Sequence, residues 1–539
     1  MDALSLSEPQ RLRLLGAAAA MLDGIDKRGK SWAWVAGVSL VAGLLALVIA
    51  VQPILVLLLL IGLAALAALI WLLRSLAPGA PWWIKGSLFV VCGQLVLSYG
   101  FSNIIFFAGG VPIPLTDSML MLALLYSAGH VLFAREPVRL PAGLWAILGW
   151  VLFCIAWHLP EGLRRDGVGA ARDAMPTVQM LYVLVGFVVI ALCLRAGAAG
   201  ERWLRGALLL LGALIGVYGL LYPLASVLLG ISPRISSLQQ SVPIIGYFTT
   251  WPAAGVLSVV GLMLWRWQAA QRGLPLRWPA RLLGAVILVS GLMTFFMIQA
   301  RIAYVFILLS LPILLLIGGQ AGQVLRIFGA VLLGLSVLFA VELSGLELQG
   351  RVGRLSASGV YHHLATLTGA TSDSGREFAG AAGGVNQRRQ WRDYALGLWA
   401  GDVPTRMLGI GYGYVLTDLT TGGTGGETLV VREPHNSYVT TLTRTGLAGL
   451  AVMLALHLAV AYCCLRRYRE LYRIRPAPAA FFLGALCYEL YSLLNAWGEP
   501  HYEVAHFAVP SYFIYGAVFA VYAHCAPRPR QRAAVPGEG

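Results

Sequence analysis

The chain has 539 residues, of which 58% are hydrophobic and only 12% are charged, and its mean hydropathy is +0.76. This is more apolar material than the core of a soluble protein of this length can bury, so the composition excludes a soluble protein and favours an integral membrane protein. The formal charge of +15 does not indicate nucleic acid, because most basic residues are arginines in short connections between apolar runs. Such residues stay on the cytoplasmic side and attract anionic lipid, so membrane lipids are expected partners and nucleic acid is not.

The first 30 residues place Arg11, Arg13, Lys27, Arg28 and Lys30 around a short apolar stretch. No small-residue cleavage site follows the first long apolar run. We therefore predict that residues 1–30 form a cytoplasmic amphipathic segment that leads into an uncleaved membrane anchor.

Apolar runs of about 20 residues, the length with which a helix crosses a bilayer, recur along the rest of the chain. They lack the two-residue alternation of outer-membrane barrels, so we predict an all-α polytopic membrane protein with about fourteen transmembrane helices. Eleven fall within residues 31–343 and three within residues 437–525. The predicted spans are 31–50, 54–74, 84–107, 115–134, 141–159, 177–195, 203–229, 244–265, 281–298, 302–318, 324–343, 437–464, 479–497 and 506–525.

The arginines predict which side each connection faces. Alternate connections are rich in arginine, including the run between Arg466 and Arg475, and the tail 526–539 is also basic. Under the positive-inside rule both termini are then cytoplasmic. The long connection 344–436 and Arg301, in the tight turn TFFMIQARIAYVF, are expected to lie outside.

The long connection 344–436 is polar and rich in glycine. Within it, residues from Arg388 to Trp399 have apolar side chains at helical spacing, and Pro404 is expected to end that helix. One interpretation is a flexible exposed loop with an amphipathic helix on the membrane surface. The other is that this loop carries the chemistry, because it ends in His435 and Asn436 at the water boundary.

Three cationic or titratable features would then face outside. An imidazole such as that of His435 can remove a proton from a hydroxyl or bind phosphate, although a histidine here is also typical of an ordinary interfacial residue. Arg301 ends an apolar hairpin, where a charge indicates function unless the residue is a lipid anchor. Arg388 and Arg389 can grip a diphosphate with their planar guanidinium groups, or they form a solvated basic face.

No metal site or cofactor is expected. His362 and His363 are adjacent, so their side chains point apart on regular structure. The grouping of His501, Glu503 and His506 is more typical of residues at the membrane–water interface than of a metal site. The seven cysteines fall in or beside apolar runs and indicate no disulfide framework. Glu499 and His501 lie in an outside connection near the last spans, which makes them candidates for contacts with a substrate.

Several of these segments resemble the bacterial O-antigen ligase and O-antigen polymerase superfamily. The segment HNSYVTTLTRTGLAGL, from His435 to Leu450, resembles the family's signature of a His-Asn pair that opens a transmembrane helix. GIGYGY at 409–414 resembles its glycine-rich stretch, the arginine-rich helix with Trp391 resembles its Arg-to-Trp segment, and QAR at 299–301 resembles its Ser-Arg turn. The resemblance covers residues 280–465. It departs from the family where Gln299-Ala300 replaces the usual serine, in the spacing of Arg388 and Arg389 to Trp391, and in about two additional spans.

The resemblance implies a GT-C-like, metal-independent, inverting glycosyltransferase in the bacterial inner membrane, with a periplasmic active site. Such an enzyme moves an oligosaccharide from an undecaprenyl-diphosphate-linked donor to an acceptor sugar hydroxyl, on another glycan or on the lipid A core. It implies that Arg301 and Arg388 or Arg389 bind the diphosphate and that His435 orients or deprotonates the acceptor hydroxyl. Asn436, Glu499 and His501 are then candidate acceptor contacts.

Other functions stay open at this level. An enzyme of the same chemistry could glycosylate a protein hydroxyl. A lipid-linked-glycan flippase or transporter would predict inverted repeats and ionisable residues within spans, but no convincing repeat is present and Glu489 is the main charge within a predicted span. A structural subunit would not require Arg301, Arg388, Arg389 and His435 on one face.

Overall fold

The computed structural model describes residues 81–108, 111–135, 137–195, 301–317, 321–345, 355–365, 375–417, 432–472 and 476–525, with residues 197, 230, 234–236, 241–243, 296 and 474. All of them belong to the compact unit Leu72–Gly539. The predicted segments 1–30 and 526–539 lie outside the described residues. So do the predicted spans 31–50, 54–74, 203–229, 244–265 and 281–298, apart from Phe296 in the last of them.

The described residues are mostly helical. The helices, numbered in chain order, are α1 (Trp82–Leu97), α2 (Tyr99–Ser102), α3 (Leu115–Phe133), α4 (Ala142–Asp166), α5 (Val168–Gln179), α6 (Tyr182–Arg195), α7 (Arg301–Val305), α8 (Leu311–Ile317), α9 (Ala321–Leu343), α10 (Ala357–Ala365), α11 (Gly375–Trp399), α12 (Val403–Leu408), α13 (Ser437–Leu471), α14 (Pro476–Gly498) and α15 (Ala505–His524). A π-helical turn, Phe306–Ser310, joins α7 to α8. Two short antiparallel strand pairs accompany the helices, β1 (Ile105–Ala108) with β2 (Val111–Pro114) and β3 (Arg234–Ser236) with β4 (Ser241–Pro243).

Six helical segments of the described part are long and apolar enough to cross a membrane. They are α3, α4, the α5–α6 segment Val168–Arg195, α13, α14 from Pro478 onward, and α15. Each overlaps a predicted span, and the main difference is that Val168–Arg195 begins nine residues before the predicted start at residue 177. The shorter apolar helices Trp82–Leu97, Arg301–Ile313 and Val331–Leu343 overlap the predicted spans 84–107, 302–318 and 324–343. The fold of the described part is therefore that of a helical membrane protein.

Small residues let α6 and α15 pack with their backbones in contact. A side chain on Gly186 would collide with the carbonyl oxygen of Phe513, and one on Gly516 would collide with the carbonyl oxygen of Val183. Close approach of this kind is how helices associate where lipid leaves no hydrophobic driving force between them. Much of the core of the described part lies here, since most residues of α6 and α15 are buried.

Helix α13 is broken near its start. Gly446 has φ +69° within it, and a side chain there would collide with the backbone of Met407. The carbonyl oxygens of Thr443 and Arg444 instead accept hydrogen bonds from the backbone N–H groups of Ile410 and Gly411, at 2.9 and 3.0 Å. Glycine adopts this φ and allows this close approach without strain, so α13 is kinked at Gly446, where the loop backbone satisfies two of its carbonyl groups.

The described stretches 355–365 and 375–408 of the long connection are largely helical. Helix α11 contains the predicted helix Arg388 to Trp399 but begins already at Gly375. The prediction that Pro404 ends this helix was wrong, because α11 ends at Trp399 and Pro404 lies in the first turn of α12. Proline fits there because the first helical N–H groups need no partner within the helix, and Asp402 caps α12 by accepting a hydrogen bond from the N–H of Thr405 at 2.9 Å.

Candidate functional site

His435 lies directly before α13 in a backbone conformation that non-glycine residues rarely adopt. Its φ is +52°, and Ser98 is the other non-glycine residue with positive φ among those described. The next residue holds this geometry in place, because the Asn436 side chain accepts a hydrogen bond from the N–H of Val439 at 3.0 Å and donates one to the carbonyl oxygen of Trp497 at 2.9 Å. Strained backbone of this kind occurs most often at functional sites.

The His435 ring lies between an aromatic side chain and a carboxylate. It stacks on the indole of Trp391 in α11, with ring centroids 5.8 Å apart and an interplanar angle of 23°. Its Nδ1 atom lies 3.5 Å from Oε2 of Glu499 and makes no hydrogen bond among the described residues, so the two groups form an ion pair only when the imidazole is protonated. The ring is 26% exposed, so a substrate can reach it.

Glu499 follows α14 and lies between His435 and Arg388. One guanidinium nitrogen of Arg388 donates to the carbonyl oxygen of Gly498 at 2.7 Å and to Oε1 of Glu499 at 3.3 Å. The two carboxylate oxygens of Glu499 therefore face different partners, Oε1 towards Arg388 and Oε2 towards His435. The carboxylate links the arginine of α11 to the histidine before α13.

Arg301 begins α7 at the same end of the molecule. Ile302, its neighbour, packs on Gly498, where an added Cβ would lie 2.7 Å from the Ile302 Cδ1 atom. Burial, and then the nearby positive charge of Arg388, lower the pKa of Arg301. The charge of Arg388 thus acts on Arg301, and an anion bound near both guanidinium groups would offset their mutual repulsion.

Two further residues that the sequence predicted for the site, Arg389 and His501, do not contact the His435 ring in the described part of the chain. Arg389 is exposed on α11, whereas Arg388 beside it is partly buried. His501 is fully buried, and its Nδ1 and Nε2 atoms lie 2.8 Å from Asn495 Nδ2 and 3.1 Å from Ser511 Oγ. Because an amide nitrogen only donates, these partners assign Nδ1 as the acceptor and Nε2–H as the donor. Burial lowers the pKa of His501, so its ring stays neutral in the interior.

A buried charge network that the sequence did not reveal fastens the long connection to the helices. Oδ1 and Oδ2 of Asp173 in α5 accept hydrogen bonds from Arg432 at 2.9 and 2.8 Å, and Oδ2 accepts another from Arg444 at 2.8 Å. Oδ2 also accepts the N–H of Gly413 at 3.0 Å. Arg432 bonds Asp166 as well, and these carboxylates raise its pKa. The sequence shows only isolated charges, Asp166, Asp173 and Arg432 in connections and Arg444 in the first turns of a predicted span, so no spacing could have predicted the network.

The glycine-rich stretch GIGYGY fits against this network. Gly409, Gly411 and Gly413 have φ values of +81°, +82° and +86°. A Cβ on Gly411 would lie 2.8 Å from the His158 ring, so the chain passes directly over α4. Tyr412 between them is 1% exposed and donates a hydrogen bond to Thr177 Oγ1 at 2.8 Å. This glycine-rich loop segment is therefore held between α4 and the start of α13.

No group of three or more His, Cys, Asp or Glu side chains that could hold a metal ion is found among the described residues. The site assembled by the described part of the chain thus consists of His435, Glu499, Arg388, Arg301 and Trp391. Comparison with protein-family models and with curated proteins finds no match for this chain.

Proposed function

We propose that this chain is a membrane glycosyltransferase that moves an oligosaccharide from undecaprenyl diphosphate to an acceptor sugar hydroxyl. The observation that carries the proposal is the meeting of Arg301, Arg388, His435 and Glu499, which come from four segments far apart in the sequence. A chain that only filled the membrane would have no need to gather two guanidinium groups, an imidazole and a carboxylate at one end of its helices.

The arginines suit the donor. When the glycosidic bond breaks, negative charge grows on the departing lipid diphosphate, and fixed guanidinium groups stabilise that charge more in the transition state than in the ground state. The positive charge of Arg388 lowers the pKa of Arg301, so both guanidinium groups would favour a bound anion, and a guanidinium group binds phosphate oxygens with two parallel hydrogen bonds. Direct displacement by the acceptor oxygen would invert the anomeric centre and would need no metal ion or other cofactor.

His435 suits the acceptor. Its Nδ1 faces Glu499, so Nε2 is the ring nitrogen that can accept the proton of an acceptor hydroxyl or contact the phosphate. Glu499 and the stacked Trp391 would hold the ring in one orientation, as the third group of a catalytic triad holds its base. In this arrangement Glu499 acts through His435 and Arg388 and need not touch the acceptor.

We further propose that the protein lies in the bacterial inner membrane with both termini in the cytoplasm and the His435 site in the periplasm. The distribution of arginines supports this orientation. The positions that meet at the site, at the start of α7, before α13 and after α14, are also the ones that the positive-inside rule assigns to the outside. An O-antigen ligase, an O-antigen or exopolysaccharide polymerase and a protein O-oligosaccharyltransferase share this donor chemistry and differ in the acceptor.

A lipid-linked-glycan transporter is a second candidate, favoured by a buried ionisable pair. Nδ1 of His457 in α13 lies 2.7 Å from Oε1 of Glu489 in α14, and the two side chains are 3% and 1% exposed. Both helices are candidate spans, and ionisable pairs within a membrane are typical of transport pathways. Transport without transfer would require this pair and would not require His435.

The two functions are separated by complementing a deletion strain with His435→Ala, Arg301→Ala and Glu489→Gln variants and examining the surface glycan. The transferase proposal predicts that the first two variants, inserted at normal levels, fail to restore the glycan. If both restore it fully while Glu489→Gln does not, the protein is a transporter. With the transferase function established, loss of long chains from the undecaprenyl carrier indicates a polymerase, and their accumulation on the carrier indicates a ligase.

A further inference from the structure

We propose that a sodium ion binds between the start of α3 and the break that separates α5 from α6. The ligand atoms are Oδ1 of Asp117, Oε1 of Gln179 and the phenol oxygen of Tyr182. All three atoms are buried, and none has a hydrogen-bond partner among the described residues. Gln179 and Tyr182 are 3% and 1% exposed. Buried polar atoms without a partner are rare in folded proteins, so three of them at one place indicate a bound ligand.

The ends of three helices bring these side chains together. Asp117 lies in the first turn of α3, α5 ends at Gln179 and α6 begins at Tyr182. Between the last two, the N–H groups of Met180 and Leu181 bond carbonyl oxygens three residues earlier, at 3.3 and 3.0 Å. In such a tightened turn, side chains three positions apart lie one above the other, so Gln179 and Tyr182 share one face. The Asp117 carboxyl group interacts with both of them.

The charges at this place favour a monovalent cation. In the described part of the chain no Lys, Arg or His side chain pairs with Asp117, and a buried carboxylate without a positive partner is costly. The positive end of the α3 dipole favours the ionised carboxylate, and the negative end of the α5 dipole favours a cation beside it. The three ligand atoms are oxygens, which hard cations prefer, and one carboxylate balances one positive charge rather than two.

The spacing of the oxygens suits a shared ion better than a direct hydrogen bond. Asp117 and Tyr182 interact, yet the phenol oxygen makes no hydrogen bond of normal geometry. Oxygens that bind a hard cation at about 2.3 to 2.6 Å stand more than about 3 Å from each other, farther than in an O–H···O bond. Poor packing does not explain the gap, because Thr116 beside Asp117 accepts from Gln94 at 2.9 Å and Gln94 accepts from Ser102 at 2.8 Å.

A cation here would fix the helix that anchors the long connection. Gln179 ends α5, and the same helix carries Asp173, which binds Arg432, and Thr177, which accepts a hydrogen bond from Tyr412. The ion would tie the end of α5 to α3, so its binding should stabilise the folded chain. This inference does not depend on the proposed transferase function, because the ligands lie apart from the residues assigned to the donor and the acceptor.

The test measures binding of radioactive sodium to the full chain in detergent micelles, with N-methyl-D-glucamine chloride holding the ionic strength constant. We expect saturable binding of about one sodium ion per chain. Asp117→Asn removes the charge and Tyr182→Phe removes one oxygen, and each should weaken binding by about tenfold or more. The matched controls are Asp393→Asn and Tyr394→Phe, whose side chains are exposed on α11, and these should bind sodium as the native chain does.

Thermal unfolding guards against a variant that merely folds poorly. Without sodium the native chain holds an unpaired buried carboxylate, so Asp117→Asn should then melt at the native temperature or above it. Added sodium chloride should raise the unfolding temperature of the native chain and leave that of Asp117→Asn unchanged. The inference is overturned if the native chain binds no sodium, or if both variants bind it as the native chain does. It is also overturned if Asp117→Asn melts below the native chain by the same amount with and without sodium.

Discussion

The Nδ1 atom of His435 lies 3.5 Å from Oε2 of Glu499, and the other oxygen of that carboxylate accepts a hydrogen bond from Arg388. Replacing Glu499 by glutamine keeps the shape of the side chain but removes the charge that holds both partners. We expect glycan transfer to fall by about 10²-fold, the order of a single acid–base contribution. Transfer from a lipid-linked donor by the purified variant is the measurement, and Glu161→Gln is the control. Activity within twofold of the native protein would remove Glu499 from the site.

Variants at the adjacent arginines of α11 can distinguish a residue that binds the diphosphate from one that only forms a solvated basic surface. Arg388 contacts Gly498 and Glu499, whereas Arg389 is exposed. Arg388→Ala should lower transfer by about 10²- to 10³-fold, as loss of a charge-stabilising donor does, and Arg388→Lys should recover only part of it because an ammonium group lacks the planar fork. Arg389→Ala should transfer almost normally. Equal losses in both alanine variants would mean that both residues bind the diphosphate.

A variant at Asp173 tests whether the buried charge network holds the long connection in place. Asp173→Ala would leave Arg432 and Arg444 buried without this partner, which costs about 3 to 5 kcal/mol when one member of a buried pair is removed. The unfolding temperature in detergent should fall clearly. Glu161→Gln breaks exposed pairs with Arg164 and Arg165 and should change it little. If the two variants melt alike, the network contributes no net stability.

A variant at Gly446 tests whether the break in α13 requires glycine at that position. Gly446→Ala places a Cβ against Met407 at a φ of +69°, so we expect a loss of roughly 1 to 3 kcal/mol in the free energy of unfolding. Gly397→Ala in α11 is the matched control, because a Cβ there meets nothing within 4 Å. In a helix this change should be neutral or stabilising by up to about 1 kcal/mol. The same thermal melts measure both, and a Gly446→Ala protein as stable as the native one would contradict the observed backbone.

Glu503 should make stability depend on pH. Its pKa is raised from an ordinary 4.5 to about 7, so the folded state holds the proton more tightly than the unfolded state. That proton stabilises the fold below pH 4.5, and the stabilisation is lost as the pH rises through 7. Glutamine does not titrate, so the Glu503→Gln variant does not lose this stabilisation. The unfolding temperature of the variant minus that of the native protein should therefore increase from pH 5 to pH 8. A difference that stays constant over that range would show that Glu503 does not titrate there.

Within the described residues, the predicted spans overlap the six helical segments that could cross a membrane, because length and hydropathy alone decide whether a segment can cross a bilayer. It also selected His435, Arg301 and Arg388, since charged or titratable groups beside apolar runs stand out. It placed Glu499 only as an acceptor contact, because nothing in the spacing shows that its carboxylate reaches both Arg388 and His435.

Long-range pairing was the part that the sequence could not predict. Asp173 and Arg432 are 259 positions apart, and no local pattern joins them. The break at Gly446 is of the same kind, because it depends on the loop segment from Gly409 to Gly413 lying against α13. The error at Pro404 arose because proline both ends helices and begins them, and only the cap at Asp402 decides between the two.

The most direct test of the central claim is an assay of the purified chain with its undecaprenyl-diphosphate-linked oligosaccharide and an acceptor glycan. Mass spectrometry would follow both the lengthened acceptor and the released undecaprenyl diphosphate. The proposed function predicts that the native chain and an Arg389→Ala variant form both products. A His435→Ala variant with the same unfolding temperature as the native chain should form neither at a detectable rate. Transfer by His435→Ala at the native rate, or no transfer by the native chain with its own donor and acceptor, would contradict it.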